Sequence, residues 1–333
     1  MFKSIDLFAG IGGIRKGFEN AFEEDISTVF ACEWDRNAQK TYRDNFNDDF
    51  EIAGDITKIE EKDIPKFDIC LAGFPCQAFS IAGKRKGFYD NYQGTCRGTL
   101  FLDVVRICDY HRPKVIFCEN VKGLIMHDRG RTYRVIKAAF EEIGYNVHEK
   151  VLNSRDFGVP QNRERVYIVA FRKDIDDSSF VFPEGTNSDT TIREIIEQEP
   201  VSVKYYLSDT YIDTLKRHKA RHEAKGHGFG YEIRDLDQQA NTIVCGGMGR
   251  ERNLIVDDRL MDYTPVTHIK GNVNREGIRR MTPREWARLQ GFPEDFKLES
   301  ADTHLYRQLA NSVTVNVIEA IAENIKKVLD NQR

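Results

Sequence analysis

The chain has 333 residues, 40% of them hydrophobic and 31% charged, with a formal net charge of −4. That length accommodates two domains and a sizeable core, while no apolar run approaches the ~18 residues that a membrane span requires. The mild acidity excludes a uniformly basic nucleic-acid binder yet leaves room for a local basic surface, and the first residues read directly as a strand, not as a secretion signal.

In chain order, the first half alternates strands and helices. Residues 4–8 are apolar and run into the glycine turn Gly10-Ile11-Gly12-Gly13. A helix follows, with Ile14, Phe18, Ala21 and Phe22 at helical spacing. Residues 28–32 and 67–72 read as strands, and Phe101, Val104, Val105 and Cys108 mark the inner face of a second helix. Strand patterns return at 115–118 and 166–171. This rhythm predicts an α/β fold built on a parallel sheet with helices on both faces.

From about Asp174 the rhythm stops, and the region to about Lys270 is rich in charge, glycine and short apolar runs. It reads as a second, irregular domain. Inside it, the stretch from Lys216 to Lys225 concentrates cations, which suits a phosphate-facing surface and a solvated helix face equally. Thr282-Pro283-Arg284-Glu285 predicts a helix start: threonine cap, proline in the first turn, glutamate closing a capping box. Gly291 and Pro293 end that helix. A last helix carries Ile318, Ile321, Ile325 and Val328 on one stripe. The expected division is a domain of residues 1–175 completed by 303–333, with a smaller domain and hinge over 176–302.

Seven cysteines stand at 32, 70, 76, 96, 108, 118 and 245, and none forms a CxxC pair or another zinc spacing. Free thiols in a reducing, cytoplasmic setting and no metal are the expectation. Cys70 and Cys118 fall inside apolar strand patterns and read as core.

The strand, glycine turn and helix at Asp6-Leu7-Phe8-Ala9-Gly10-Ile11-Gly12-Gly13 make a site for a nucleotide-like ligand. The dinucleotide fingerprint is incomplete, since Arg15 stands where a third glycine would be, and the lysine of a phosphate-binding loop is missing. Glu33, about 20 residues after the turn, is placed to hold ribose hydroxyls. Trp34 could stack on a purine, and Asp55 of Gly54-Asp55-Ile56 could reach an adenine amino group. Adenosine held without a pyrophosphate points to S-adenosylmethionine. Cys76, in Gly73-Phe74-Pro75-Cys76-Gln77-Ala78-Phe79-Ser80, lies just past a strand end. A lone cysteine is more often structural, but this one opens a loop. Glu119-Asn120-Val121 and Gln161-Asn162-Arg163-Glu164-Arg165 flank two further strands. Ion pairing at a sheet rim explains them as well as ligand binding at strand ends does.

These segments, in this order, resemble those of the DNA (cytosine-5) methyltransferases: DLFAGIGG from Asp6, GFPCQAFS from Gly73, ENV from Glu119, QNRERVYIVAF from Gln161, RMTPREWARLQGFP from Arg280 and QLANSVTVNVIEAI from Gln308. The resemblance covers almost the whole chain. It implies a Rossmann-like S-adenosylmethionine-dependent sheet with a smaller, irregular target-recognition domain. It implies that Cys76 adds to carbon 6 of a flipped cytosine, that Glu119 contacts N3 and the exocyclic amine, and that Arg163 and Arg165 support the thiolate and the base. Phe8, Gly10, Ile11, Gly13, Glu33, Trp34, Asp55, Ile56, Pro75, Leu100, Asn311 and Ser312 would line the cofactor.

The resemblance also implies double-stranded DNA as partner, contacted by Ser80, Arg97, Phe229, Thr242, Arg250 and Arg252. Arg250 and Arg252 could read guanine edges or pair with Glu251. Residues from about Tyr89 to Cys96 depart from the family's loop. A monomeric modification enzyme with a cognate restriction endonuclease is the expected setting. A tRNA cytosine-5 methyltransferase, favoured by a reduced recognition region, is one rival reading. A catalytically inactive DNA-binding relative is another, and a nicotinamide-dependent dehydrogenase, disfavoured by the incomplete glycine fingerprint, a third.

Overall fold

The computed structural model describes residues 1–75, 100–186, 188–228, 230–246, 248–266 and 270–332. In chain order the elements are β1 (Phe2–Leu7), α1 (Gly13–Phe22), β2 (Ile26–Cys32), α2 (Arg36–Asn45), β3 (Ile69–Ala72), α3 (Leu100–His111), β4 (Val115–Val121), α4 (Gly123–Met126), α5 (Arg131–Glu142), β5 (Tyr145–Asn153), β6 (Gln161–Asn162), β7 (Glu164–Arg172), α6 (Asp209–Glu223), β8 (Ala240–Asn241), β9 (Leu254–Val256), β10 (Ile278–Arg280), α7 (Pro283–Leu289), α8 (Asp302–Asn311) and α9 (Val315–Asp330). They fall into two compact units, one of residues 1–152, 164–184 and 317–333, the other of residues 153–163 and 185–316.

The first unit is a six-stranded sheet in the order β2-β1-β3-β4-β7-β5. β2, β1, β3 and β4 are parallel. β7, however, runs antiparallel to β4, from Val115 opposite Phe171 to Val121 opposite Arg165. The expected parallel sheet is corrected there: β5 and β7 follow each other with no α-helix between them, so nothing imposes the crossover that parallel strands need. Alternate strand residues face opposite sides. One side, with Ile5, Cys70, Ile116 and Ile168, packs against Phe101 and Val104 of α3 and Phe140 of α5. On the other, Phe117 meets Phe18 of α1 with ring centroids 5.1 Å apart. α9 lies against α1 so closely that a Cβ on Gly17 would sit 2.5 Å from the Cβ of Ile318. The α9 stripe Ile318, Ile321, Ile325 and Val328 is buried as its spacing predicts, each side chain contributing about 1.5–3 kcal/mol.

The second unit takes in residues 153–163 and 303–316, which were expected in the first. The physical reason is a set of side-chain ties. Gln161 donates to Leu289 O at 2.7 Å, and β6 pairs with β8. Arg163 donates to the carbonyls of Ile243, Ala310 and Ser312 at 3.1, 3.1 and 2.6 Å. The capping box is formed: Glu285 N donates to Thr282 Oγ1, and Thr282 N to Glu285 Oε2. Glu285 also accepts both terminal nitrogens of Arg279 at 2.7 and 2.8 Å, and Arg279 Nε reaches Asp257 at 2.8 Å. Arg279 and Glu285 are wholly buried. Among the described residues no helix is long and apolar enough to cross a membrane.

Candidate active site

The backbone of the glycine turn is bent by left-handed conformations at Phe8 (φ 57°), Gly10 (φ 56°) and Gly12 (φ 84°). For a phenylalanine that conformation is costly and marks a constrained site. Gly12 has no room for a side chain, since a Cβ would come 2.2 Å from Phe46 Cε2. Gly10 is the opposite case: a Cβ there would meet nothing within 4 Å, so the turn borders open space. Glu33, from the end of β2, accepts Gly10 N at 2.8 Å and Asp35 N at 2.7 Å. Burial raises the Glu33 carboxyl above its usual range and pushes Asp6 up to about 7, Arg15 opposing the latter. A cationic ligand beside them would relieve that penalty. Trp34 is 73% exposed, its ring unspent on the core.

Arg15 explains the missing third glycine. Its guanidinium lies 4.1 Å from the Phe46 ring centroid and binds Asp48 at 2.5 and 2.8 Å and Tyr42 Oη at 3.0 Å. It fixes α2 against the turn where a glycine would only have allowed close packing.

On the adenine side expected from sequence, Asp55 Oδ1 accepts Thr57 N at 3.1 Å and Thr57 Oγ1 at 2.7 Å, and the Thr57 hydroxyl holds its carboxyl below the usual range. Ile56 is buried in the core of the unit. Sequence reasoning missed Arg106, on α3. It donates to Ile56 O at 2.7 Å, and to Ile59 O, Glu61 Oε1 and Asp103 Oδ1 at 2.8 Å each. It clamps the 55–61 segment to the helix that begins with Leu100. Arg106→Gln is expected to raise the KM for S-adenosylmethionine about tenfold, the loss of one or two charge-assisted hydrogen bonds. Initial rates at varied cofactor would show this, with the thermal midpoint checking the fold.

Glu119 lies near the end of β4, opposite Tyr167. Because β7 is antiparallel, Arg165 lies diagonally across on the same face, with Nε 3.2 Å from Glu119 Oε1. Both side chains are little exposed, 14% for Arg165 and 11% for Glu119. Asn120, also missed, donates to Phe74 O at 2.8 Å and is buried. It ties the end of β4 to the peptide that precedes Pro75, which is exposed. Cys76, Ser80, Arg97, Phe229 and the segment from Tyr89 to Cys96 lie outside the described residues.

The remaining expected residues belong to the second unit. Arg163 is buried with its guanidinium donating to carbonyls of its own unit. Asn311 Oδ1 accepts Cys245 Sγ at 3.0 Å. Thr242 Oγ1 donates to Asn162 O at 2.6 Å. Arg250 stacks over Tyr306 at 5.4 Å, and Arg252 lies 4.0 Å from Glu232. The alternative pairing of these arginines with Glu251 does not occur, because Glu251 is buried and bound by Arg280 at 2.9 Å.

A family model described as C-5 cytosine-specific DNA methylase matches residues 2–327. The chain belongs to that family. The methylase therefore acts on carbon 5 of cytosine in DNA and takes its methyl group from S-adenosylmethionine. It is 54% identical over 334 residues to the Type II methyltransferase M.HpaII of Haemophilus parainfluenzae, across 99% of this chain and 90% of that one. It is 37% identical to M.HhaI of Haemophilus parahaemolyticus, across 98% of this chain and 94% of that one. The crystal structure of S. pombe Dnmt2 methyltransferase shares the methylase fold with a TM-score of 0.70 at 20% identity, covering 100% of this chain and 99% of that one. The open space beside Gly10, the buried carboxyls and the exposed Trp34 fit an adenosine-bearing cation.

Proposed function

We propose that this methylase uses Cys76 as nucleophile and Glu119 as proton donor on a cytosine rotated out of duplex DNA. The observation that supports it is the adjacency of β3 and β4. One leads through Phe74 and Pro75 towards Cys76, the other carries Glu119 near its end, and Asn120 joins them. Carbon 5 of cytosine is too weak a nucleophile to be methylated directly. The Cys76 thiolate forms a bond to carbon 6, and Glu119 gives a proton to N3 as negative charge gathers there. Carbon 5 is then electron-rich. S-adenosylmethionine, when bound, supplies the methyl group on a sulfonium centre. Loss of the carbon 5 proton to a base, for which a water suffices, restores the ring double bond and expels the Cys76 thiolate from carbon 6, and N3 returns its proton to Glu119. Arg165 holds Glu119 in place, and Arg163, in the second unit, orders the peptides of Ile243, Ala310 and Ser312. Phe8, Gly10, Ile11, Gly13, Glu33, Trp34, Asp55, Ile56, Pro75 and Leu100 hold the cofactor.

Residues 185–316 serve as the target-recognition unit, with Thr242 on a phosphate and Arg250 and Arg252 on base edges. The Type II names of the relatives support a modification enzyme that protects DNA from a cognate endonuclease; we propose that it acts as a monomer in the cytoplasm. Duplex carrying 5-fluorocytosine at the target is expected to trap a covalent adduct through residue 76, because the fluorine cannot leave as a proton does. Bisulfite sequencing of DNA from cells expressing Cys76→Ala should show no methylation. Methylation that survives the substitution, or turnover without any trapped adduct, overturns this mechanism.

A further inference from the structure

The cations of α6 have no part in the chemistry above, yet the helix is built into the proposed recognition unit. Its inner side, Ile212 and Leu215, joins a small core with Leu207, Leu254 and Ile278. Tyr211 Oη donates to Glu251 Oε1 at 3.2 Å, and Arg280 binds the same oxygen at 2.9 Å. The helix is thus anchored to the 250–252 segment.

On its outer side Arg217 and Arg221 follow each other at four-residue spacing, which places them in one row; Lys225 continues the spacing in the turn just past the helix end, and all three are exposed. Thr210 and Thr214 precede them and are exposed too. Among the described residues none of the three cations is in an ion pair. Asp213 stands one turn before Arg217, but Arg217 reaches its backbone carbonyl and the Thr214 hydroxyl, each at 3.3 Å, and not its carboxylate. Beside the row, the rings of His218 and His222 are 4.4 Å apart. Burial, then the neighbouring His218, His227, Lys225 and Arg221, hold His222 below its usual range. Like charges at this spacing disfavour a helix, and a chain of net charge −4 could have compensated them. A polyanion lying along the row would do so. Arg217 and Arg221 stand about 6 Å apart along the axis, far enough for each long side chain to meet its own phosphate, and Lys225 extends the row past the helix end.

We propose that Arg217, Arg221 and Lys225 form a phosphate-backbone contact for duplex DNA that adds affinity without reading bases. This rests on residues 185–316 being the recognition unit. The full-length Arg217→Gln/Arg221→Gln/Lys225→Gln variant should bind target and unrelated duplexes of equal length more weakly by the same factor. Its plot of log affinity against log salt should be shallower by about 0.9 for each phosphate no longer neutralised, roughly 2–3 in all. Arg217→Lys/Arg221→Lys/Lys225→Arg should restore affinity and slope, which a purely structural role of the native side chains would not allow. Unchanged affinity and slope overturn the proposal, as does a loss confined to the target duplex. Arg250→Gln and Arg252→Gln, tested on the same duplexes, separate the two readings. If they relax the site while the triple variant is silent, the row is wrong and the recognition unit stands. If they leave the site unaltered while the slope falls, the row stands and the assignment of the reading residues fails.

Discussion

Glu119→Gln is expected to slow single-turnover methyl transfer by about 10²–10⁴ while weakening DNA binding far less. The amide keeps the volume and the hydrogen-bonding capacity of the side chain, but it cannot pass a proton to N3. Rapid-quench measurement of product at saturating enzyme, beside equilibrium binding of the same duplex, separates the two quantities. Arg165→Lys should fall between wild type and Glu119→Gln. It keeps a positive charge near Oε1, which lies 3.2 Å from Arg165 Nε, but loses the planar fork that fixes the carboxyl's orientation. Comparable losses of rate and binding in Glu119→Gln would show that the residue holds the base and does not work on its protonation.

The largest expected effect on stability belongs to the second unit. Arg279→Met leaves Glu285 and Asp257 without the cation that both engage, at 2.7 and 2.8 Å. Stranding buried charge in this way costs about 3–5 kcal/mol. Glu285→Ala should cost a similar amount, because the same carboxylate also closes the helix cap and accepts Glu197 N at 3.0 Å. Urea unfolding followed by intrinsic fluorescence would report both. The pH dependence has a definite sign. Burial raises the Asp257 carboxyl, but Arg259 and Arg279 outweigh it and hold the group well below the usual aspartate value. Its stabilisation is therefore complete above the unfolded value near ~3.9 and disappears as pH falls towards the depressed folded value. Arg279→Met should flatten that acid limb. An unchanged unfolding midpoint and an unchanged acid limb would make the network dispensable.

Much of this was legible in the sequence. The segments at 28–32 and 115–118 lie within β2 and β4, that at 4–8 runs one residue past the end of β1, and the Thr282 capping box formed as its residue types dictate. What escaped is what local pattern does not encode. β5 carries Asn146, His148, Glu149 and Lys150 among its apolar residues and lies at the sheet's edge, so no apolar run announces it. Strand periodicity of two is identical in either direction, so the reversal of β7 was invisible, although it is what sets Arg165 beside Glu119. Arg106 and Asn120 act through backbone carbonyls at 56, 59 and 74. A carbonyl is the same at every position, so nothing in the residue types names such partners. Arg163 was legible as important through its motif, but its three carbonyl partners lie 80, 147 and 149 residues away.

The packing of α9 on α1 has a consequence for biosynthesis. Lys326 Nζ donates to Phe22 O across a separation of 304 residues, and Gly17 is shaped to receive Ile318. While the chain is being translated, α1 therefore waits with an apolar flank uncovered until α9 has left the ribosome. A nascent polypeptide, or one stopped before α9, would expose that flank to chaperones and proteases, and methylation of DNA would begin only after α9 has emerged.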